Sequence, residues 1–198
     1  MSDSLITKKA IATSLKDLMR KKDLQKISVS DIVGHCGINR QTFYYHFKDK
    51  YDLVNWIYYN EVVAAVIHNE NSEDWSDVVL GVLLGMQREK NFYINALNVT
   101  GQNAFQDYFF DVTKNILTGL IDSTEEKNGY TEEEKDFFAE FYCYGLVGIA
   151  VQWARGGMKQ PPEEIVRRLS RLIDDMTGLS SERFLKGPDR YSANEGAE

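Results

Sequence analysis

Apolar residues recur every three or four positions through the first part of the chain, which is the spacing of one buried helix face. They fall first at Ile11, Leu15, Leu18 and Met19, and this predicts a helix over residues 7–22. The same spacing returns further along, and the polar residues between the apolar runs include those that begin and end helices. The pattern therefore predicts helices joined by short turns.

A short second helix and a third one are predicted from capping residues. Ser28 and Asp31, three residues apart, match a capping box that would begin a helix near residue 29. Gly37 would end this helix, because glycine readily adopts the left-handed conformation at a helix C-terminus. Asn39 would cap a third helix over residues 40–47. Two short helices joined by a glycine turn are typical of a helix-turn-helix, here residues 29–47.

Helical patterns continue beyond residue 50, and no segment alternates as a strand would. Thr131 followed by three glutamates favours a helix start, since the acids lie at the positive end of the helix dipole. The predicted helices are 51–68, 75–87, 92–97, 103–123, 131–154 and 162–177. We expect an all-α protein with a three-helix head (residues 1–66), a larger helical-bundle domain (67–179) and a flexible tail (180–198).

The first helical turn of the third helix holds the side chains that favour DNA. Residues at the start of a recognition helix reach the base edges of the major groove. Arg40 can bond guanine, Gln41 can pair with adenine, and Thr42 can touch a thymine methyl group or a phosphate. Phe43 and Phe47, four residues apart, are expected to face inward as anchors.

The remaining polar residues of this segment are candidates for contacts with the DNA backbone. Tyr44, Tyr45 and His46 are expected on the outer surface, where they can bind phosphate oxygens. Lys48 and Lys50 follow at the helix end and are also expected to contact phosphate. The alternative is that the two tyrosines are core aromatics and that His46 is merely packed.

The charge of the chain is unevenly distributed, and this agrees with a DNA-binding head. The net charge is −7 overall, but residues 1–60 hold ten Lys and Arg against six Asp and Glu, so that this part carries +4 and the rest −11. A basic head on an acidic body would meet phosphate with one end only.

Composition disfavours several other classes of protein. No run of about 18 apolar residues is present and the N-terminus is polar, so we expect no membrane span, no secretory signal and a cytoplasmic location. Cys36 and Cys143 are then expected to be reduced thiols. Three histidines and two cysteines offer little for an active site or a metal site, so we expect no enzyme, no cofactor and no metal.

The segments 27–33 and 36–53 closely resemble the signature of the TetR family, in which Gly, Thr, aromatic, Tyr, His, Phe and Lys follow at fixed spacing. The resemblance implies a DNA-binding transcriptional regulator. It implies phosphate or sugar contacts for Ser28, Ser30, Thr42, Tyr45, His46 and Lys50, and operator choice by Arg40 and Gln41. Many members have glycine at the position of Gln41. Here a long amide side chain would either add a base contact or hold the helix slightly away from the floor of the DNA groove.

For the larger domain, the resemblance implies a homodimer formed by the last two long helices. The matching interface residues are Gly145, Gly148, Val151, Val166, Leu169 and Ile173, although small residues serve an internal packing seam equally well. The family also implies a pocket for a small-molecule effector, with candidates Trp56, Tyr59, Tyr93, Phe105, Tyr108, Phe109, Tyr142 and Trp153, which otherwise fill the core.

Residues 92–153 resemble the C-terminal domains of TetR-like proteins of Gram-positive bacteria, including regulators of dihydroxyacetone kinase operons. Some of these relatives are activators that work with a protein co-regulator. We expect a ligand-responsive repressor that binds double-stranded operator DNA. An activator that works with a protein co-regulator is the alternative. A protein-interaction module without DNA binding is the remaining, different class.

Overall fold

The computed structural model describes residues 3–67, 75–99, 105–122 and 130–184, and none of these residues lies in a strand. Two compact units are present, Met1–Lys159 and Gln160–Glu198. The first unit contains α1 (Asp3–Met19), a 3-10 turn (Leu24–Lys26), α2 (Val29–Cys36), α3 (Arg40–His46), α4 (Lys50–Tyr58), a π turn (Tyr59–Val63), α5 (Ala64–Ile67), α6 (Trp75–Arg88), α7 (Lys90–Leu97), α8 (Phe105–Asp122) and α9 (Glu132–Arg155). The second contains α10 (Pro162–Phe184).

The predicted caps of the helix-turn-helix are confirmed. The Ser28 hydroxyl accepts a hydrogen bond from the Asp31 amide, and the Asp31 carboxylate accepts one from the Ser28 amide, which completes the capping box of α2. Gly37 ends α2 in the left-handed conformation, with φ of 73°. The Asn39 side chain then accepts a bond from the Thr42 amide and begins α3. Each cap satisfies a backbone group that the helix itself leaves open.

A tightly packed core holds the three head helices together. Ile11 and Leu15 of α1 have no exposed surface, and the same is true of Ile32 and Phe43, from α2 and α3. The buried Ser14 hydroxyl donates to the Ile32 carbonyl oxygen at 2.7 Å, so a polar contact between α1 and α2 lies inside this apolar core. Burial of these side chains stabilises the orientation of α3.

The segment that leads from the head into the body differs from the prediction of one uninterrupted helix over residues 51–68. The chain makes a π turn at Tyr59–Val63, where the Ala64 amide donates to the Tyr59 carbonyl five residues earlier. Beside it, α6 approaches closely: a Cβ atom built on Gly85 would lie 2.9 Å from a Val62 methyl group. Glycine is thus needed there for space. His68, the predicted end of this helix, lies outside the described residues.

Aromatic side chains fill the first unit beyond the head. Tyr58, at the end of α4, is fully buried and its ring meets those of Tyr93, Phe105, Tyr108 and Phe109 edge to face, with centroids 5.3–6.4 Å apart. Edge-to-face contacts are favourable for aromatic rings. The core of the body is therefore built around a residue of the segment that leads to the head.

The long helices α8 and α9 pack against each other, and Thr131 caps α9 through a second capping box with Glu134, as the pattern predicted. α9 is, among the described helices, long and apolar enough to cross a membrane by length and composition. The expectation of no membrane span was based on the absence of an uninterrupted apolar run. In α9, small and aromatic residues interspersed with a few polar ones reach a high mean hydropathy without such a run.

The ends of the predicted domains are also placed differently. α10 continues to Phe184, so the segment expected to be a flexible tail from residue 180 begins inside a helix; residues 185–198 lie outside the described residues. The predicted domain boundary at residue 66 falls inside the first compact unit, because head and body helices contact each other directly.

Candidate DNA-binding surface

α3 presents a row of polar and aromatic side chains to solvent while its apolar side is fixed. Phe43 is fully buried and Phe47 is 3% exposed, so both predicted anchors are confirmed. Arg40, Gln41, Tyr44, Tyr45 and Lys48 are exposed. A rigid helix with long donor side chains on its free side is the geometry that major-groove recognition requires.

Arg40 is held along the helix by Tyr44, one turn later. The guanidinium Nη2 lies 3.4 Å from the Tyr44 hydroxyl oxygen, and the guanidinium carbon lies 5.9 Å from the ring centroid. Such a contact restricts the rotamers of a long side chain and so lowers the entropy it loses on binding. Tyr44 thus orients the first candidate base-reading residue.

The two tyrosines are surface residues, so the alternative that they belong to the core is wrong. Tyr44 is 50% exposed and Tyr45 is 82% exposed. The half-buried His46 packs its ring edge to face against Tyr45, with centroids 4.9 Å apart. An exposed phenol hydroxyl beside an imidazole can donate hydrogen bonds to phosphate oxygens.

The hydroxyl groups of Ser28 and Thr42 already donate hydrogen bonds within the head. The Ser28 hydroxyl donates to the Asp31 carboxylate at 2.8 Å, and the Thr42 hydroxyl donates to Asn39 Oδ1 at 3.0 Å. Hydrogen bonds from Ser28 lower the pKa of Asp31 and keep this acceptor charged. Each expected phosphate contact would have to replace such a bond. Ser30 is exposed on the first turn of α2.

Lys50, a predicted phosphate contact, already donates hydrogen bonds within the head. Its ammonium group donates to the carbonyl oxygens of Leu24, Gln25 and Ile27 at 2.7, 3.0 and 2.7 Å. These three bonds use all the donors of a lysine, and partial burial lowers its pKa. Lys50 therefore joins the start of α4 to the turn before α2, and Lys48 is the lysine of this segment that is exposed.

The two lysines should consequently respond differently to substitution. Lys50→Met should destabilise the fold by about 2 kcal/mol, because three carbonyl partners are lost, and should leave the salt dependence of DNA binding unchanged. Lys48→Met should leave stability unchanged but reduce the slope of log affinity against log salt by about 1 per subunit. Thermal melts and DNA titrations at several salt concentrations measure both quantities. A reduced salt slope for Lys50→Met would show that Lys50 does contact a phosphate.

The candidate effector residues do not form one pocket. Tyr93, Phe105, Tyr108 and Phe109 meet around Tyr58, a residue that the sequence argument missed. Trp56 instead packs on Phe47 in the head, Tyr59 and Tyr142 are exposed, and Trp153 is buried.

An apolar cavity is present elsewhere, between α6, α8 and α9. Phe109 is the one member of the predicted effector set that lines it; the other lining residues include Val79, Leu83, Leu117 and Leu146. Its free volume is about 50 Å³. Pockets for drug-sized ligands are about 300–1,000 Å³, so this cavity as it stands admits only a very small molecule. Aliphatic residues at helical spacing look like ordinary core in a sequence, which is why they were missed.

The candidate interface residues fall into two groups. Gly145 and Gly148 are exposed on α9, whereas Val151 is 7% exposed and already packed inside its own subunit. On α10, Val166 is buried, and Leu169 and Ile173 are half-buried. The exposed side of α9 also carries Phe137, Phe141 and Tyr144, which are 66%, 58% and 64% exposed and which the sequence argument missed.

Comparisons with known proteins agree with this geometry. Residues 12–57 match the family model described as "Bacterial regulatory proteins, tetR family", and residues 73–175 match that of a "Transcriptional regulator C-terminal region". The first match contains the helix-turn-helix, and the second contains helices α6 to α9.

Individual relatives match along most of the chain. Over 151 residues the chain is 32% identical to the HTH-type dhaKLM operon transcriptional activator DhaS of Lactococcus lactis subsp. lactis (strain IL1403), covering 75% of this chain and 80% of that protein. A solved structure of the dihydroxyacetone kinase operon activator DhaS superposes with a TM-score of 0.68 at 26% identity, covering 88% of this chain and 98% of that one. NalD, the secondary repressor of the MexAB-OprM multidrug efflux pump in Pseudomonas aeruginosa, shares the fold at 17% identity, with a TM-score of 0.58 and coverage of 87% and 97%. The chain belongs to the TetR family of sequence-specific DNA-binding transcriptional regulators.

Proposed function

We propose that the protein binds its operator as a homodimer in the cytoplasm, with α3 of each subunit in the major groove. Arg40 and Gln41 contact base edges, and Tyr45, His46 and Lys48 contact phosphates. The observation that carries this proposal is the exposed row of side chains on α3, opposite the buried Phe43. One recognition helix reads only a few base pairs, so two helices about 34 Å apart are needed for a specific site.

The exposed side of α9 supports the dimer. Phe137, Phe141 and Tyr144 are spaced at four and three residues and so lie on one side of the helix, next to Gly145 and Gly148. Aromatic residues are enriched in protein interfaces, and glycines allow two helices to approach closely. A large apolar patch on a single subunit favours burial against a partner.

For the sign of regulation, one observation favours an activator over the ligand-released repressor. The relative at 32% identity is a transcriptional activator, and the likeness to the repressor NalD shows the fold alone. A protein co-regulator is therefore the control that we propose, and an operon for dihydroxyacetone kinase is its proposed target.

The test begins with selection of duplexes from a random-sequence DNA pool by the purified protein. We expect an enriched palindromic site, protected over two half-sites, for which Arg40→Ala loses selectivity of about 1–3 kcal/mol per half-site. A reporter gene behind that site should be expressed more strongly when the protein is present. Failure to enrich any sequence would indicate an interaction module that does not bind DNA. Lowered reporter expression would indicate that the protein is a repressor.

A further inference from the structure

The DNA-binding head is attached to the body by a side chain that is not part of the connecting segment. Asn95, on α7, reaches the end of α1 and the 3-10 turn that follows it. Its Oδ1 accepts a hydrogen bond from the Leu24 amide at 2.8 Å, and its Nδ2 donates to the carbonyl oxygens of Met19 at 3.2 Å and Lys22 at 2.8 Å. Both polar atoms of one amide are thus bound to the backbone of the head.

These backbone groups are among those that a helix end leaves open. The last carbonyl groups of a helix have no partner within the helix and need one from elsewhere. For Met19 this partner comes from α7, since the carbonyl accepts from Asn95. Asn95 therefore acts as a C-terminal cap for α1 that is supplied by another part of the protein, and α1 cannot turn relative to α7 without breaking these bonds.

A second attachment lies one turn earlier on α1. The Lys16 ammonium group donates to both carboxylate oxygens of Glu61, in the π turn, at 2.9 Å and to Glu89, just before α7, at 3.1 Å. Burial alone would lower the pKa of Lys16, but the bonds and charges of the two glutamates outweigh this and raise it. The lysine side chain is 16% exposed, so this contact is partly shielded from solvent.

We propose that Asn95 is a positioning residue for operator binding, which holds the head at the angle to the body that two half-sites require. The covalent connection through α4 fixes one end of the head, and the Asn95 contacts, together with those of Lys16, restrict its remaining rotation. In a dimer, an error in this angle displaces one recognition helix when the other is seated in its groove. The inference rests on the proposed binding of a two-part operator by a homodimer.

The test compares Asn95→Ala with the wild-type protein on two DNA probes. The first is the duplex that the wild type selects from a random pool, and the second is the same duplex with one half-site scrambled. Because three hydrogen bonds from Asn95 hold the head, we expect roughly tenfold or greater weakening on the full duplex. On the single half-site, where the angle between heads is irrelevant, affinity should stay within about twofold. Fluorescence anisotropy at a temperature well below both melting transitions measures the two affinities.

Two further variants make the comparison sharper. Asn91→Ala is the matched control, since Asn91 lies one turn earlier on α7, is exposed and makes none of these bonds; both of its affinities should equal those of the wild type. Glu89→Gln weakens the second attachment and should give a smaller loss, again on the full duplex alone.

Each remaining outcome decides against the inference. Equal losses of Asn95→Ala on both probes would show that Asn95 merely stabilises the head, and unchanged affinity on both would show that it does not set the angle. A wild-type protein that selects no duplex at all would overturn the DNA-binding proposal and this inference with it, so the two failures are distinguishable.

Discussion

Phe141→Glu is expected to convert the dimer into monomers and to weaken operator binding by about a hundredfold or more. Phe141 lies between Phe137 and Tyr144 on the exposed side of α9 and is itself 58% exposed in the single subunit. In a dimer formed by this side, two new carboxylates would be buried without partners, which costs several kcal/mol. Since about 1.4 kcal/mol changes an equilibrium constant tenfold, a total of about 4 kcal/mol weakens the dimer by roughly a thousandfold. Each monomer then reads one half-site only.

Analytical ultracentrifugation measures the assembly, and titration of the selected duplex measures the affinity. Tyr130→Glu is a suitable control, because Tyr130 is a comparably exposed aromatic residue, 45% exposed, that precedes α9. It should remain a dimer with full DNA affinity. If Phe141→Glu sediments as a dimer at all concentrations, α9 is not the dimer interface. Loss of helical circular dichroism in the same variant would mean that the residue supports the subunit fold instead.

The second large effect concerns the division of labour on α3. Tyr45→Phe should lower affinity for every duplex by about a hundredfold or more, because each of two subunits loses one hydrogen bond to a charged phosphate oxygen, worth about 1.5–3 kcal/mol. The change removes one exposed hydroxyl and leaves the ring that packs on His46. Gln41→Ala should instead change which duplex is preferred, since an amide reads base edges.

Selection from a random pool by each variant distinguishes the two roles. Tyr45→Phe should enrich the wild-type sequence at lower affinity, and Gln41→Ala should enrich a different one. Tyr130→Phe serves as the control, because it removes one hydroxyl from an exposed aromatic residue outside the head. Equal losses on all sequences for Gln41→Ala and Tyr45→Phe would contradict the assignment of base and phosphate contacts.

The local elements of the fold were predictable from the sequence because their causes are local. The capping boxes at Ser28 and Thr131 and the left-handed Gly37 each involve residues within a few positions of one another. The π turn was not predictable, since it lies where α6 approaches through Gly81 and Gly85, far along the chain. The apolar residues over 51–67 keep helical spacing throughout, and this spacing does not indicate that α6 packs against the segment.

The candidate site was predictable to the same degree and for the same reason. The exposure of Tyr45 and the burial of Phe43 follow from helical spacing. The role of Lys50 does not, because its carbonyl partners lie 23 to 26 residues earlier in the chain. Most effector candidates do not line the apolar cavity, because they share aromatic character whereas the cavity is lined mainly by aliphatic side chains.

The π turn at Tyr59–Val63 also limits how this protein can be recombined with its relatives. A π turn holds one residue more than the α-helical turn that it replaces. In a chimera that joined this head to a body lacking the turn, every residue on the head side would be rotated by about 100° and shifted by about 1.5 Å. Lys16 would then lose its partner Glu61, which belongs to the turn. Domain exchange is therefore expected to preserve operator choice only when the crossover lies after Val63, so that head and turn are transferred together.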